Sequence, residues 1–215
     1  MKCLTCGRWS FHALCEACLD EINLTTRARS LPSQVKVYSF YRYADVAHLM
    51  QSKYHLIGSR ILSRLALKAA RHFFAHWQSV PPEELKSHGL DSETSESSSH
   101  IALLGLDDYP YSAYSHVGVI LKAFATATKE RNLGEFKPCF GALRAQNHIK
   151  YAGQSLEFRQ KHPKGFALTK PISAPTIVLL DDIITTGTSF EEGISVLREA
   201  GFAVPFCLSL CDARD

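Results

Sequence analysis

Hydrophobic positions follow two rhythms along this chain. Unbroken apolar runs stand at Ile101–Leu106 and at Ile177-Val178-Leu179-Leu180, and such runs suit strands buried on both faces. Residues Val35–Tyr43, rich in aromatic and β-branched side chains, read as a further strand, as do Phe136–Leu143 and Phe202–Leu210. Between these runs the apolar residues recur at helical spacing. Val46, Leu49, Met50 and Ile57, then Ile61, Leu62, Leu65 and Ala69, predict helix from Ala44 to Trp77 with an interruption near Gly58. Val117, Ile120, Leu121 and Phe124 predict a helix over Tyr114–Thr128. Phe190, Ile194 and Leu197 predict a third, stopped by Gly201. Strand, helix, strand in this order predicts an α/β protein with a mostly parallel sheet flanked by helices.

Two stretches lose all apolar periodicity. Val80–His100 opens with Pro81-Pro82 and closes with Asp91–Ser99, so residues 80–100 read as a mobile polar loop. Arg144–Gly165 is crowded with Gln, Asn, His, Lys and Arg. It reads either as a lid over a ligand or as an ordinary surface connection with a short helix.

Composition narrows the class. A chain of 215 residues, 46% hydrophobic and 21% charged, suits one medium domain with a small appendage. A formal net charge of +3 excludes a broad basic coat for nucleic acid but leaves room for a local patch. No apolar run approaches a membrane span. Cysteines stand where a secretory signal would carry its apolar core, so a cytoplasmic protein is expected.

Of the seven cysteines, four form two C-x-x-C pairs, Cys3/Cys6 and Cys15/Cys18, with eight residues between the pairs. Two such knuckles complete the four-sulfur tetrahedron that Zn²⁺ prefers, and with all four positions filled the metal is structural. A small finger, residues 1–30, is therefore expected ahead of a main domain, 31–215. Metal binding would supply most of the finger's folding energy, on the order of 10–16 kcal/mol in isolated fingers. Cys139, Cys207 and Cys211 lie in apolar surroundings and read as packed thiols.

The candidate ligand site follows the run Ile177–Leu180. It continues Asp181-Asp182-Ile183-Ile184-Thr185-Thr186-Gly187-Thr188-Ser189, a strand-to-helix turn with free backbone N–H groups at a helix N-terminus. That geometry binds phosphate, and two adjacent carboxylates can accept hydrogen bonds from sugar hydroxyls. The second acidic pair, Asp107-Asp108, ends the other central strand and would need a cation beside it to receive a polyphosphate. Lys53, Arg60, Arg64, Lys68 and Arg71 recur at helical intervals and offer a stripe to a phosphate backbone, or a solvated helix face. Tyr38, Phe40, Tyr41 and Tyr43 read as a core strand rather than a base-stacking platform.

The stretch Ile177–Ser189 resembles the phosphoribosyl pyrophosphate loop of type I phosphoribosyltransferases. Preceded by a four-cysteine head, it looks like the ComF family of competence-associated proteins. The resemblance implies that Asp181 and Asp182 accept hydrogen bonds from the ribose hydroxyls and that Thr185, Thr186, Gly187, Thr188 and Ser189 hold the 5′-phosphate. Mg²⁺ would bridge the pyrophosphate and the ribose. It also implies a cytoplasmic DNA-uptake factor for natural transformation, binding single-stranded DNA beside translocation machinery at the inner membrane. The alternatives are an active transferase on an unidentified acceptor and a non-catalytic nucleotide sensor.

Overall fold

A computed structural model describes residues 1–77, 100–109, 114–133, 136–151 and 153–214. The element order is α1 (Glu16–Glu21), β1 (Arg27–Ser30), β2 (Lys36–Arg42), α2 (Tyr43–Gln51), a single 3₁₀ turn (Ser52–Tyr54) and α3 (Gly58–Trp77). There follow β3 (Ile101–Gly105), α4 (His116–Glu130), β4 (Phe136–Pro138), β5 (Leu143–Ala145), α5 (Leu156–Lys161) and β6 (Phe166–Leu168). The chain closes with β7 (Thr176–Ile184), α6 (Thr188–Glu199) and β8 (Phe206–Asp212). The polar loop expected over 80–100 lies almost wholly outside the described residues.

The main sheet has six strands in the order β1-β2-β8-β7-β3-β4. Only the β1–β2 pair is antiparallel; the other four pairings are parallel. Alternation along the central strands feeds two cores. Leu103, Val178, Leu180 and Leu208 pack with Leu65 and Phe74 of α3 and Phe124 of α4. Ala102, Leu104, Ile177, Leu179 and Cys207 pack on the other face with Phe190, Ile194 and Leu197 of α6. Helices thus cover both faces, as the unbroken apolar runs require. Phe40 and Tyr41 are buried in the first core and Tyr38 meets Phe206 edge-on, so this strand is a core strand.

Two differences from the pattern-based expectation have local causes. Phe136–Leu143 is two strands, because Pro138 lacks a backbone donor and Gly141 takes φ +61°, which turns the chain away from the sheet. The second piece, β5, pairs antiparallel with β6 in a separate two-stranded ribbon. The segment Arg27–Ser30, counted with the finger, joins the main sheet as its edge strand.

The finger is docked, not free. Leu14 and Leu19 are buried in the same core as α3. The Lys68 ammonium donates to the carbonyls of Leu19 at 2.7 Å and Ile22 at 2.9 Å, satisfying the end of α1. Arg64 pairs with Glu16 at 2.6 Å across the same junction.

Candidate functional site

Strand order reverses between β3 and β7. The helix after β3 leads outward to β4, and the helix after β7 leads the opposite way to β8. In open α/β sheets the crevice outside the carboxyl ends of such strands is where ligands bind. Both acidic pairs stand at this rim, Asp107-Asp108 beyond β3 and Asp181-Asp182 near the carboxyl end of β7.

Beyond β7 the chain turns into α6 through Gly187, which has φ +87° and caps the helix. A Cβ at Gly187 would lie 2.6 Å from Leu31 Cδ2, so a side chain here meets protein on one side as well as strained backbone. The first-turn N–H groups of α6 have no intrahelical acceptor, and the Thr186 and Thr188 hydroxyls lie 2.9 Å apart beside them. One cleft is lined by Asp181, Thr185, Thr186, Gly187, Thr188 and Ser189, so the sequence-predicted loop does converge.

The lining also includes Arg159, from α5 in the segment that reads as a lid or connection. Its guanidinium donates to the hydroxyls of Thr185 and Thr186 and, at 2.9 Å, to the Tyr151 carbonyl. With Arg159 in place the free space in the cleft is only about 20 Å³. The segment is fastened from below by Glu192 of α6, whose carboxylate accepts from the backbone N–H groups of Lys164, Gly165 and Phe166.

Asp182 is not in that cleft. Successive side chains alternate across a strand, so Asp181 and Asp182 serve opposite sides of β7. Asp182 accepts from the Lys53 ammonium at 2.5 Å, both side chains being almost covered. Burial pushes the Asp182 carboxyl up, but Lys53 more than offsets this and holds it below the ordinary carboxylate value. Lys53 is raised in turn: burial acts against its charge and Asp182 outweighs burial. Tyr114 donates to the Lys53 carbonyl at 2.7 Å. His116 completes the cluster between the rings of Tyr54 and Tyr114, its Nε2 buried without a hydrogen-bond partner and its charged form disfavoured by burial. Asp181 is pushed well above the usual carboxylate range, by burial first and then by Asp182.

The second acidic pair is neutralised from both sides. Asp107 is buried and accepts from Ser115 Oγ at 2.5 Å, while Ser115 Oγ accepts from the Gly118 N–H and so caps α4. Burial raises the Asp107 carboxyl, with Ser115 opposing. The ammonium of the nearly buried Lys164 pairs with Asp108. The cation that this turn needs is therefore present, brought from β6's approach.

The five cations of the expected stripe do not share one exposed face. Lys53 belongs to the acid pair, Arg64 and Lys68 hold the finger, and Arg71 makes a two-pronged contact with Glu130 at 2.8 Å. Arg60 and Arg71 are the exposed members, the Arg60 guanidinium lying near Met1 Sδ.

The residues at this rim whose partners the sequence did not indicate are Lys53 with Asp182, Arg159, Lys164 and Arg29. Arg29 of β1 donates to the Thr185 carbonyl at 2.6 Å and pairs with Asp212 at 3.3 Å, clamping the turn from beneath. Only a basic residue in the polar segment signalled Arg159 and Lys164; nothing local signalled the other two.

The finger fits a metal. The four Sγ atoms of Cys3, Cys6, Cys15 and Cys18 all lie within 4.8 Å of one another. Cys6 Sγ and Cys15 Sγ are 3.8 Å apart, the edge of a tetrahedron with Zn–S bonds of about 2.3 Å. Burial raises the Cys3 thiol, but backbone donors from Cys15, Cys6 and Thr5 outweigh burial and bring it down to about 6, so it is a ready thiolate ligand. Cys207 and Cys211 are buried and inert by comparison, raised by desolvation.

No protein-family model matches the chain, and no curated protein matches it. Among solved structures it is similar to orotate phosphoribosyltransferase from Aeropyrum pernix, at 18% identity and TM-score 0.32 over 88% of this chain and 75% of that one. It is also similar to Leishmania donovani UMP synthase, at 17% identity and TM-score 0.33 over 90% of this chain. The match spans 30% of that longer chain.

Proposed function

We propose that this protein binds phosphoribosyl pyrophosphate at the rim of β3 and β7 and transfers its phosphoribosyl group. The observation that carries the reading is the convergence of Asp181 and the Thr185–Ser189 turn at the N-terminus of α6, where strand order reverses. The hydroxyls of Thr185, Thr188 and Ser189 and the adjacent N–H groups would hold the 5′-phosphate, joined by Arg159. Asp181 would accept from the ribose hydroxyls. Lys53 fixes Asp182 at the same rim, and Lys164 brings positive charge to the side where pyrophosphate would lie.

The carboxylates Asp107, Asp108 and Asp181 supply the oxygen donors that Mg²⁺ prefers, and magnesium, when bound, would offset the charge of the leaving pyrophosphate. In the transfer, the C1–oxygen bond breaks with its electron pair leaving on pyrophosphate, and the acceptor's lone pair forms the new bond to C1. The protein's part is to hold phosphate and ribose in place and to keep charge balanced around the departing group.

Calorimetric titration with phosphoribosyl pyrophosphate and magnesium tests the binding, and release of pyrophosphate tests the transfer. Asp181→Asn is expected to weaken binding about 2- to 13-fold, the worth of one hydrogen bond. Tight binding without pyrophosphate release converts the reading to a nucleotide sensor. Absence of binding by both phosphoribosyl pyrophosphate and ribose 5-phosphate rejects it.

A second reading, single-strand nucleic-acid binding in DNA uptake, is favoured by the finger's surface. Trp9 is 81% exposed and Phe11 99% exposed, with Lys2 and Arg8 also exposed beside them. Exposed aromatics among cations are stacking platforms for unpaired bases. Trp9→Ala is expected to weaken oligonucleotide binding about 5- to 150-fold, and three cations (Lys2, Arg8, Arg60) give a log–log salt slope of about −2. Salt-independent binding, or binding indifferent to loss of both Trp9 and Phe11, removes this reading.

A further inference from the structure

The phosphate turn has a second cavity on its far side. It holds about 380 Å³ and is walled by Arg29, Leu31 and Pro32 from the end of β1, Leu156 of α5, Glu191 of α6 and Arg214 near the chain's end. Thr186 and Thr188 line this cavity and the cleft above Asp181 alike, so the pair of hydroxyls is the partition between them. A phosphate held at the turn would present one side to the ribose position and the other to this second space.

We infer that this cavity is a subsite for a group joined to the far side of the 5-phosphate, so that the ligand is a ribose 5-phosphate extended through a diphosphate to a nucleoside. The inference rests on the reading of Thr185–Ser189 as the phosphate turn.

Three features of the cavity match that chemistry. Its volume falls in the range of small-molecule sites and dwarfs the space left at the turn itself. Its charge is favourable to a second phosphate. Arg29 is locked in place by the Thr185 carbonyl and Asp212, and Arg214 also lines the space. Among the described residues the one carboxylate in the wall, Glu191, is turned to Ser33, accepting from both its N–H and its hydroxyl at 3.0 Å. The remaining wall mixes the polar Ser30 and Gln160 with three apolar residues. Leu156 is 47% exposed, an unusual place for a large apolar side chain on a short helix, and with Leu31 and Pro32 it offers a face to a flat ring. Leu156 and Arg214 have no part in the cleft at Asp181.

Calorimetry with three ligands tests the inference: ribose 5-phosphate, adenosine 5′-diphosphoribose and phosphoribosyl pyrophosphate. The wild-type chain is expected to bind adenosine 5′-diphosphoribose at least about tenfold more tightly than ribose 5-phosphate. Leu156→Trp, which fills the cavity from an exposed position, and Arg214→Ala should each erase that advantage while leaving ribose 5-phosphate affinity unchanged. Equal affinity for the two ligands overturns the subsite, and so does an advantage that survives Leu156→Trp. A single-stranded oligonucleotide that competes with adenosine 5′-diphosphoribose and shares its dependence on Leu156 and Arg214 overturns the small-molecule assignment. Failure of ribose 5-phosphate and phosphoribosyl pyrophosphate to bind at all condemns the phosphate-turn reading instead.

Discussion

Replacing Lys53 with methionine is expected to cost about 3–5 kcal/mol at pH 7. For a chain of this size that corresponds to a fall in Tm of about 6–20 °C. The reason is the charge left behind. Asp182 is almost covered and has the Lys53 ammonium 2.5 Å away. Methionine fills the space of the lysine stem but leaves a buried carboxylate beside a second one, Asp181. The double variant Lys53→Met with Asp182→Leu removes both charges and should recover most of the loss.

The pH dependence gives a second readout. In the wild type Asp182 is held below its ordinary value, Lys53 overcoming the effect of burial. Its contribution is present above the unfolded carboxylate value of about 3.9 and is lost as pH falls through the folded value. In Lys53→Met, burial, the largest influence on Asp182, is opposed only by the more modest effects of His116 and Lys164, and it raises the carboxyl. The penalty is then full at neutral pH and is relieved as pH falls through the raised value. The gap between the two proteins should narrow as pH falls below neutrality. A stability loss under about 1 kcal/mol at pH 7, constant with pH, contradicts this account of the pair.

Stripping the metal from the finger is expected to have the other large effect. Structural zinc in finger peptides is worth about 10–16 kcal/mol at pH 7, and here the finger shares its core with α3 through Leu14 and Leu19. Chelation, or Cys15→Ser, should therefore unfold residues 1–25 and also lower the Tm of the main domain, because the apolar face of α3 is uncovered. Cobalt in place of zinc should show the absorption of a four-thiolate tetrahedral site. A chain with no bound metal, unchanged in melting by chelator, would show that these four sulfurs are held by packing alone.

The loop Ile177–Ser189 was legible because every feature it needs is local: an apolar strand, an acid pair, a glycine that tolerates φ +87° and a helix with a clear apolar stripe. The finger was legible for the same reason, as two short spacings. What failed to show was long-range. Lys53 sits in sequence among the cations of α3, and helical spacing groups it with Arg60 and Arg64; only the 3₁₀ turn at Ser52–Tyr54 swings it to Asp182, across 129 residues. Arg27-Ala28-Arg29-Ser30 has no apolar residue larger than alanine, so an edge strand with half its side chains in solvent left no pattern to read. The split of Phe136–Leu143 turned on Gly141, whose left-handed backbone an apolar run cannot announce. The acid pair is read from sequence as one two-carboxylate hand, whereas the alternation of a strand puts Asp181 beside the Thr185–Ser189 turn and Asp182 beside Lys53.

The edge strand β1 determines how the molecule can be cut. Removing residues 1–30 as a detachable finger takes Arg29 with it, so the Thr185–Ser189 turn loses the clamp on the Thr185 carbonyl. It also bares the backbone of β2, leaving an unpaired row of donors and acceptors that another chain can extend. A cut just before Arg27 keeps both strand and clamp but uncovers the patch of α3 that Leu14 and Leu19 occupied. A truncated protein that aggregates or binds phosphate poorly would thus report the loss of an edge and a clamp, whatever the finger does in the intact chain.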